Sequence, residues 1–91
     1  MYKVNDETIS LLEDILNEEL SENSITIQDA FLTNGNNWIG DKPRCNYILA
    51  IFKIVYNENL RDIFHLGSVV FVSSGLDWRL QHYQIDVKMG I

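Results

Sequence analysis

The first part of the chain has the hydrophobic periodicity of a helix. Between about residues 6 and 22, apolar residues recur three or four positions apart and cover about half of a helical wheel. They are Ile9, Leu12, Leu16 and Leu20, with Leu11 and Ile15 beside them. Asn5 or Asp6 is suited to cap the first turn. The pattern predicts an amphipathic helix with one face buried on a core.

After residue 22 the period changes to that of strands. Alternating or continuous apolar runs predict strands at about 24–32, 46–56, 68–73 and 78–88. Residues 60–66 fit a short helix or a hairpin partner. The sequence therefore predicts an α+β fold with a single N-terminal amphipathic helix packed on an antiparallel sheet of four to five strands. We expect one domain over residues 1–91, given the size of core that such a length can bury.

The last predicted strand changes phase partway along. Trp78 and Leu80 share one parity, whereas Tyr83, Ile85 and Val87 have the other. A β-bulge inserts one extra residue and so restores a common face. The sequence predicts such a bulge near Gln81 and His82.

A long polar segment separates the first two predicted strands. Residues 33–45 are rich in turn-forming residues and include the only proline of the chain. Loops of this length in small domains are often functional. Trp38 and Asp41 lie within it, and tryptophan is enriched at binding hot spots. Trp38 either closes the core as a lid or contacts a partner, so we include Trp38 and Asp41 among the candidate partner-binding residues.

Charge is concentrated at one end of the chain. The first 22 residues hold seven of the 13 acidic residues and one of the seven basic ones, so they carry the whole formal charge of −6. On the helical wheel the acids lie opposite the apolar stripe, and no lysine or arginine lies among them. This face is either a solvated surface or a docking site for a basic protein. The candidate contacts are Glu7, Glu13, Asp14 and Glu18.

Composition also bears on compartment and partners. An acidic chain with a pI near 4.6 is unsuited to sequence-independent binding of nucleic acid or an anionic membrane. A single cysteine, Cys45, fits a reducing compartment, and the first residues do not have the pattern of a signal peptide. We expect a cytoplasmic protein. Eleven isoleucines and nine asparagines are typical of an AT-rich bacterial or phage genome.

Catalytic and metal sites have little support in the sequence. Asp86 and Lys88 have the acid-x-lysine spacing of some metal-dependent hydrolases, but the second acid of such a site is missing. Cys45, His65 and His82 are too scattered for a metal site or a nucleophile–base pair. We therefore expect no enzyme activity, no cofactor and no metal.

Three functions follow from these features. The first is a small acidic non-catalytic binding protein of inhibitor, immunity or antitoxin type, which neutralises a basic partner such as a nuclease or another nucleic-acid enzyme. The second is a structural or oligomerising module that assembles through its sheet, for instance as a homodimer. The third, a remote alternative, is a metal-dependent hydrolase that uses Asp86 and Lys88.

Overall fold

The chain forms a five-stranded antiparallel sheet with a helix across one of its faces. A computed structural model describes residues 2–34, 46–58, 60–73 and 77–90. The elements in chain order are β1 (Tyr2–Lys3), α1 (Asp6–Leu20), β2 (Ile25–Asn34), β3 (Asn46–Glu58), β4 (Arg61–Ser73) and β5 (Arg79–Gly90). Neighbouring strands in the sequence are neighbours in the sheet, in the order β1 to β5. The α+β prediction is confirmed.

The helix begins and ends at residues suited to its termini. The Asn5 side chain caps α1 by accepting a hydrogen bond of 2.9 Å from the Thr8 amide. Ser21 ends the helix in the left-handed region, with φ of 55°. Leu12 and Leu16 are fully buried on the sheet, as the periodicity predicts. No helix of the described residues is long and apolar enough to cross a membrane.

The core lies between α1 and one face of the sheet, which we call the helix face. Its central side chains come from alternate positions of β3 and β4 and are almost completely buried: Ile48, Phe52, Ile54, Val69 and Phe71. Trp78 and Leu80 pack against the same cluster from the start of β5. Gly67 faces the Phe52 ring, where a larger residue has no room.

Three register shifts decide which side chains reach this core. The register passes from Leu80 to His82, so Gln81 is the extra residue and the predicted bulge is confirmed. A second shift in β5 skips Asp86. A third skips Gln28 in β2. Because of that shift, Ala30 is buried in the core, and Phe31 lies on the other side of the sheet.

The region predicted as ambiguous is part of a long strand. Residues 60–66 and 68–73 do not form two elements, because β4 runs unbroken from Arg61 to Ser73. It pairs with β3 in continuous register from Asn46↔Ser73 to Glu58↔Arg61. The pairing leaves only residues 59 and 60 for the connection, and Leu60 has a φ of 63°. Residues 33 and 34 of the predicted loop belong to β2, and residues 35–45 lie outside the described residues.

Candidate partner-binding surfaces

One flank of α1 closes the outer edge of β2. The Asn17 side chain accepts a hydrogen bond from the Ile25 amide at 3.0 Å and donates one to the Ile25 carbonyl at 3.3 Å. Glu13 Oε2 accepts a hydrogen bond of 2.7 Å from the Ile27 amide. The Val4 amide donates a hydrogen bond of 3.3 Å to the Ala30 carbonyl. Directly before Val4 in the chain, β1 pairs with Phe31 and Leu32 of β2. Backbone groups that a sheet edge would otherwise expose are thus satisfied within the chain.

The outward side of α1 carries carboxylates around an exposed apolar side chain. Glu7, Asp14 and Glu18 are exposed and fall within about 40° of one another at 100° per residue. Leu11 lies in the same sector and is 50% exposed. We call these four residues the acidic face. The sequence prediction placed Leu11 beside the buried stripe because it is apolar, but its helical angle and its exposure put it among the acids.

The acidic face is not neutralised by the described part of the chain. No lysine or arginine among the described residues forms an ion pair with Glu7, Asp14 or Glu18. The internal hydrogen bonds of the helical acids involve only Glu13, at the edge of β2, and Glu22. The three carboxylates are therefore available to an external cation, and their field acts on a charged partner at a distance.

The far end of the helix is tied to the sheet through Glu22. The Tyr56 hydroxyl donates a hydrogen bond of 2.9 Å to Glu22 Oε1. Burial raises the pKa of Tyr56, and the hydrogen bond and negative charge of Glu22 raise this pKa further. The His65 ring meets the Tyr56 ring edge-on, with 5.3 Å between the ring centroids. These contacts give Glu22 a structural role and remove it from the acidic face.

The structure separates the candidate acids of the sequence into two groups. Glu7, Asp14 and Glu18 share the outward side of α1, whereas Glu13 is partly buried and bonded to β2. Contact of these four acids with a partner stays a prediction, and the structure shows that Glu13 also serves as an acceptor for the edge of β2. Trp38 and Asp41 lie outside the described residues, and their role stays a prediction.

The residues considered for catalysis or metal binding do not converge. His65 lies on the helix face of β4, and His82 pairs with Val70 on the opposite face. Cys45 lies outside the described residues. The side chains of Asp86 and Lys88 lie outside the described part of the structure, and a role for them stays a prediction. Among the described residues, no three histidine, cysteine or acidic side chains are grouped to hold a metal ion.

A second exposed surface covers the other side of the sheet, away from the helix. On β3 and β4 it consists of Tyr47, Leu49, Ile51, Lys53 and Val55, with Phe64, Leu66, Ser68 and Val70 beside them. On β2 and β5 it continues through Asp29, Phe31, Thr33, Arg79, His82 and Gln84. We call this surface the open face. Leu49 is 42% and Ile51 is 50% exposed, so apolar area is accessible at its centre.

Comparison with known proteins identifies no relative. No family model matches the chain, and neither a curated protein nor a solved structure matches it. The acidic face and the open face are therefore the features that bear on function. The acidic face offers charge around an apolar contact, and the open face offers apolar area with charge at its margins.

Proposed function

We propose that this chain is a small non-catalytic binding protein that acts in the cytoplasm and neutralises a basic protein partner. Its class would be that of inhibitors, immunity proteins and antitoxins, and the partner a nuclease or another enzyme that binds nucleic acid. Such enzymes carry basic surfaces for phosphate, and an acidic surface competes for them. The binding surface is the acidic face of α1.

The observation that carries this proposal is the exposure of Leu11 among three carboxylates that no described lysine or arginine pairs with. Interfaces combine a desolvated apolar contact with a polar rim, and rim charges steer the partner and set its orientation. Leu11 supplies the apolar contact. Glu7, Asp14 and Glu18 supply a rim that a basic partner would match.

The charges of the acidic face also destabilise α1 itself. Asp14 and Glu18 are four residues apart and have the same charge, which destabilises an exposed helix by about 0.2–0.5 kcal/mol. No lysine or arginine lies between residues 6 and 20 to offset this repulsion. A lysine at either position would remove it. Retaining both acids is consistent with a role in binding.

The first experiment captures partners from the native host on the immobilised wild-type chain and identifies them by mass spectrometry. The matched variants are Asp14→Lys/Glu18→Lys and, as a control, Asp62→Lys/Asp77→Lys. Both make the same change in net charge at exposed acids, but only the first alters the acidic face. We expect a basic protein that the wild type and the control retain and the α1 variant loses.

Titration of the purified pair then tests the mechanism. Reversal of the two α1 charges should weaken binding about tenfold or more and flatten its dependence on salt, since exposed charges are screened over about 8 Å at physiological ionic strength. Leu11→Ala should weaken binding about fivefold or more without changing the salt dependence. Equal binding by the α1 variant and its control would refute the role of the acidic face.

A further inference from the structure

The open face has a bulky strand and a less bulky strand at its centre. In the row Asp29–Ile51–Ser68–Gln84, the exposed Ile51 of β3 lies next to the small Ser68 of β4. In the next row, Leu49 lies next to Val70. With Asp29 and Phe31 these residues line a groove of about 320 Å³. The centre of the face therefore has a ridge along β3 and a shallower track along β4.

Charge on the open face also differs between its two margins. Asp29 lies on β2, and Arg79 and His82 lie on β5, at the other side of the sheet. Between them, the ammonium group of Lys53 lies over the Phe64 ring, 4.8 Å from its centroid. One acid, Asp29, and one cation, Arg79, thus lie at opposite margins of the apolar centre, and the imidazole of His82 lies beside Arg79 on β5.

We propose that the open face binds a second copy of this chain, with a two-fold axis parallel to the strands. This axis places β3 of each copy over β4 of the other, so Ile51 meets Ser68 and Leu49 meets Val70. It also places β2 over β5, so Asp29 of each copy lies over Gln84 and close to His82 of the other. The bulky strand of each copy thus lies over the less bulky strand of the other, and the Asp29 carboxylate faces the amide of Gln84 and the imidazole of His82, both of which can donate a hydrogen bond.

The other two-fold arrangement is unfavourable. If the axis runs across the strands, each strand lies over the same strand of the second copy. Ile51 then faces β3 of the second copy, and Asp29 approaches its β2. Bulky side chains then meet bulky ones, and like charges meet at both margins. The distribution of side-chain size and charge on this face therefore favours the axis parallel to the strands, which places the β2 margin of each copy over the β5 margin of the other.

The open face is large enough for such an interface. Four strands about 4.8 Å apart and five outward positions about 6.8 Å apart give a flat footprint of about 500–600 Å². Projecting side chains add accessible area, which approaches the about 800 Å² per partner of a standard interface. Sheets pack about 10 Å apart. The two helices therefore remain on the outside, about 30 Å apart, beyond the screening length of their negative charges.

Sedimentation equilibrium of the wild-type chain tests the proposal, over concentrations from about 1 µM to about 1 mM. We expect the mass to rise from 10.6 kDa to twice that value, with a dissociation constant in the micromolar range. Ile51→Lys should weaken the dimer at least tenfold. Leu11→Lys is the control, because Leu11 is equally exposed but lies on α1. A monomer throughout, or a dimer unaffected by Ile51→Lys, overturns the proposal.

Charge exchange tests the arrangement of the two copies. Asp29→Lys and His82→Glu should each weaken the dimer about tenfold. The first removes the carboxylate that Gln84 and His82 face, and the second places another acid near Asp29 at both margins. An equimolar mixture of the two variants should regain the dimer, since each then supplies the charge that the other lacks. A mixture as weak as the separate variants overturns the two-fold axis proposed here. This dimer does not depend on the acidic face, so either proposal can fail alone.

Discussion

Replacing Asn17 with alanine tests whether the helix closes the edge of β2. The Asn17 amide bonds both the N–H and the C=O of Ile25, at 3.0 and 3.3 Å, and also donates to the Glu13 carbonyl at 3.0 Å. Ile25 is only 3% exposed. Alanine removes all three hydrogen bonds and leaves two backbone groups of a buried residue without their partner. The fold itself offers no substitute on that side of β2.

The expected loss follows from these bonds. A buried polar group that loses its partner costs about 1–3 kcal/mol, and two such groups at an edge where water enters cost about 2–4 kcal/mol together. Alanine is a better helix former than asparagine and returns about 0.5 kcal/mol. The free energy of unfolding should therefore fall by about 2–3 kcal/mol. In a domain of this size, that change lowers the Tm by about 10–20 °C.

Urea unfolding followed by circular dichroism measures the change, with Asn23→Ala as the control. Asn23 is exposed, just beyond the helix, and its replacement should change the free energy of unfolding by less than about 0.5 kcal/mol. Hydrogen exchange supplies a local measurement, because the Ile25 amide should lose protection in Asn17→Ala. Equal stabilities of the two variants, or an Ile25 amide that stays protected, would show that this edge is not closed by α1.

Three further predictions concern single residues. Ser21→Gly should stabilise the chain by about 0.5–1 kcal/mol in urea unfolding, because Ser21 has a φ of 55°, whereas Ser10→Gly within the helix should destabilise it. Gly67→Ala should lower the free energy of unfolding by about 2 kcal/mol or more, since the added Cβ would lie 2.6 Å from the Gln84 carbonyl oxygen; a smaller loss would contradict the packing described. The raised pKa of Tyr56 means that the native state holds this proton more tightly than the unfolded state. Its contribution to stability is present below the unfolded pKa of about 10 and is lost as pH rises through the higher folded value, so Tyr56→Phe should reduce alkaline destabilisation.

Hydrophobic period was sufficient to predict the helix, most strand positions and the Gln81 bulge. Each depends on which side chains need burial, and that need is visible in the sequence. The unbroken β4 was not predicted, because Gly67 interrupts an apolar run and a glycine at such a position is also typical of the end of a helix. The shift at Gln28 was not predicted either, because Ala30 and Phe31 are both apolar and either could have faced the core.

The candidate surface was only partly predictable for a different reason. On the helical wheel Glu7, Asp14 and Glu18 lie opposite the apolar stripe, and this correctly predicts that they face outward. The same wheel at 100° per residue places Glu13 about 20° from Leu20, on the flank of the buried stripe, and Leu11 about 20° from Glu18, among the acids. The sequence prediction grouped both residues by their chemistry and not by their angle. The hydrogen bond between Glu13 and the Ile27 amide could not be predicted, because it joins the helix to a strand distant in sequence.

The two margins of this sheet have different prospects for joining other strands. Hydrogen bonds from α1 and β1 occupy the margin at β2, while in the described part of the chain no element pairs with the outer side of β5. A filament requires each molecule to offer two complementary margins, one to accept the preceding unit and one to receive the next. Among the described residues only β5 offers a long unpaired margin, since β1 at the other edge has two residues. Strand-to-strand growth would therefore stop once two β5 margins had met, and end-to-end polymerisation has no second site from which to continue.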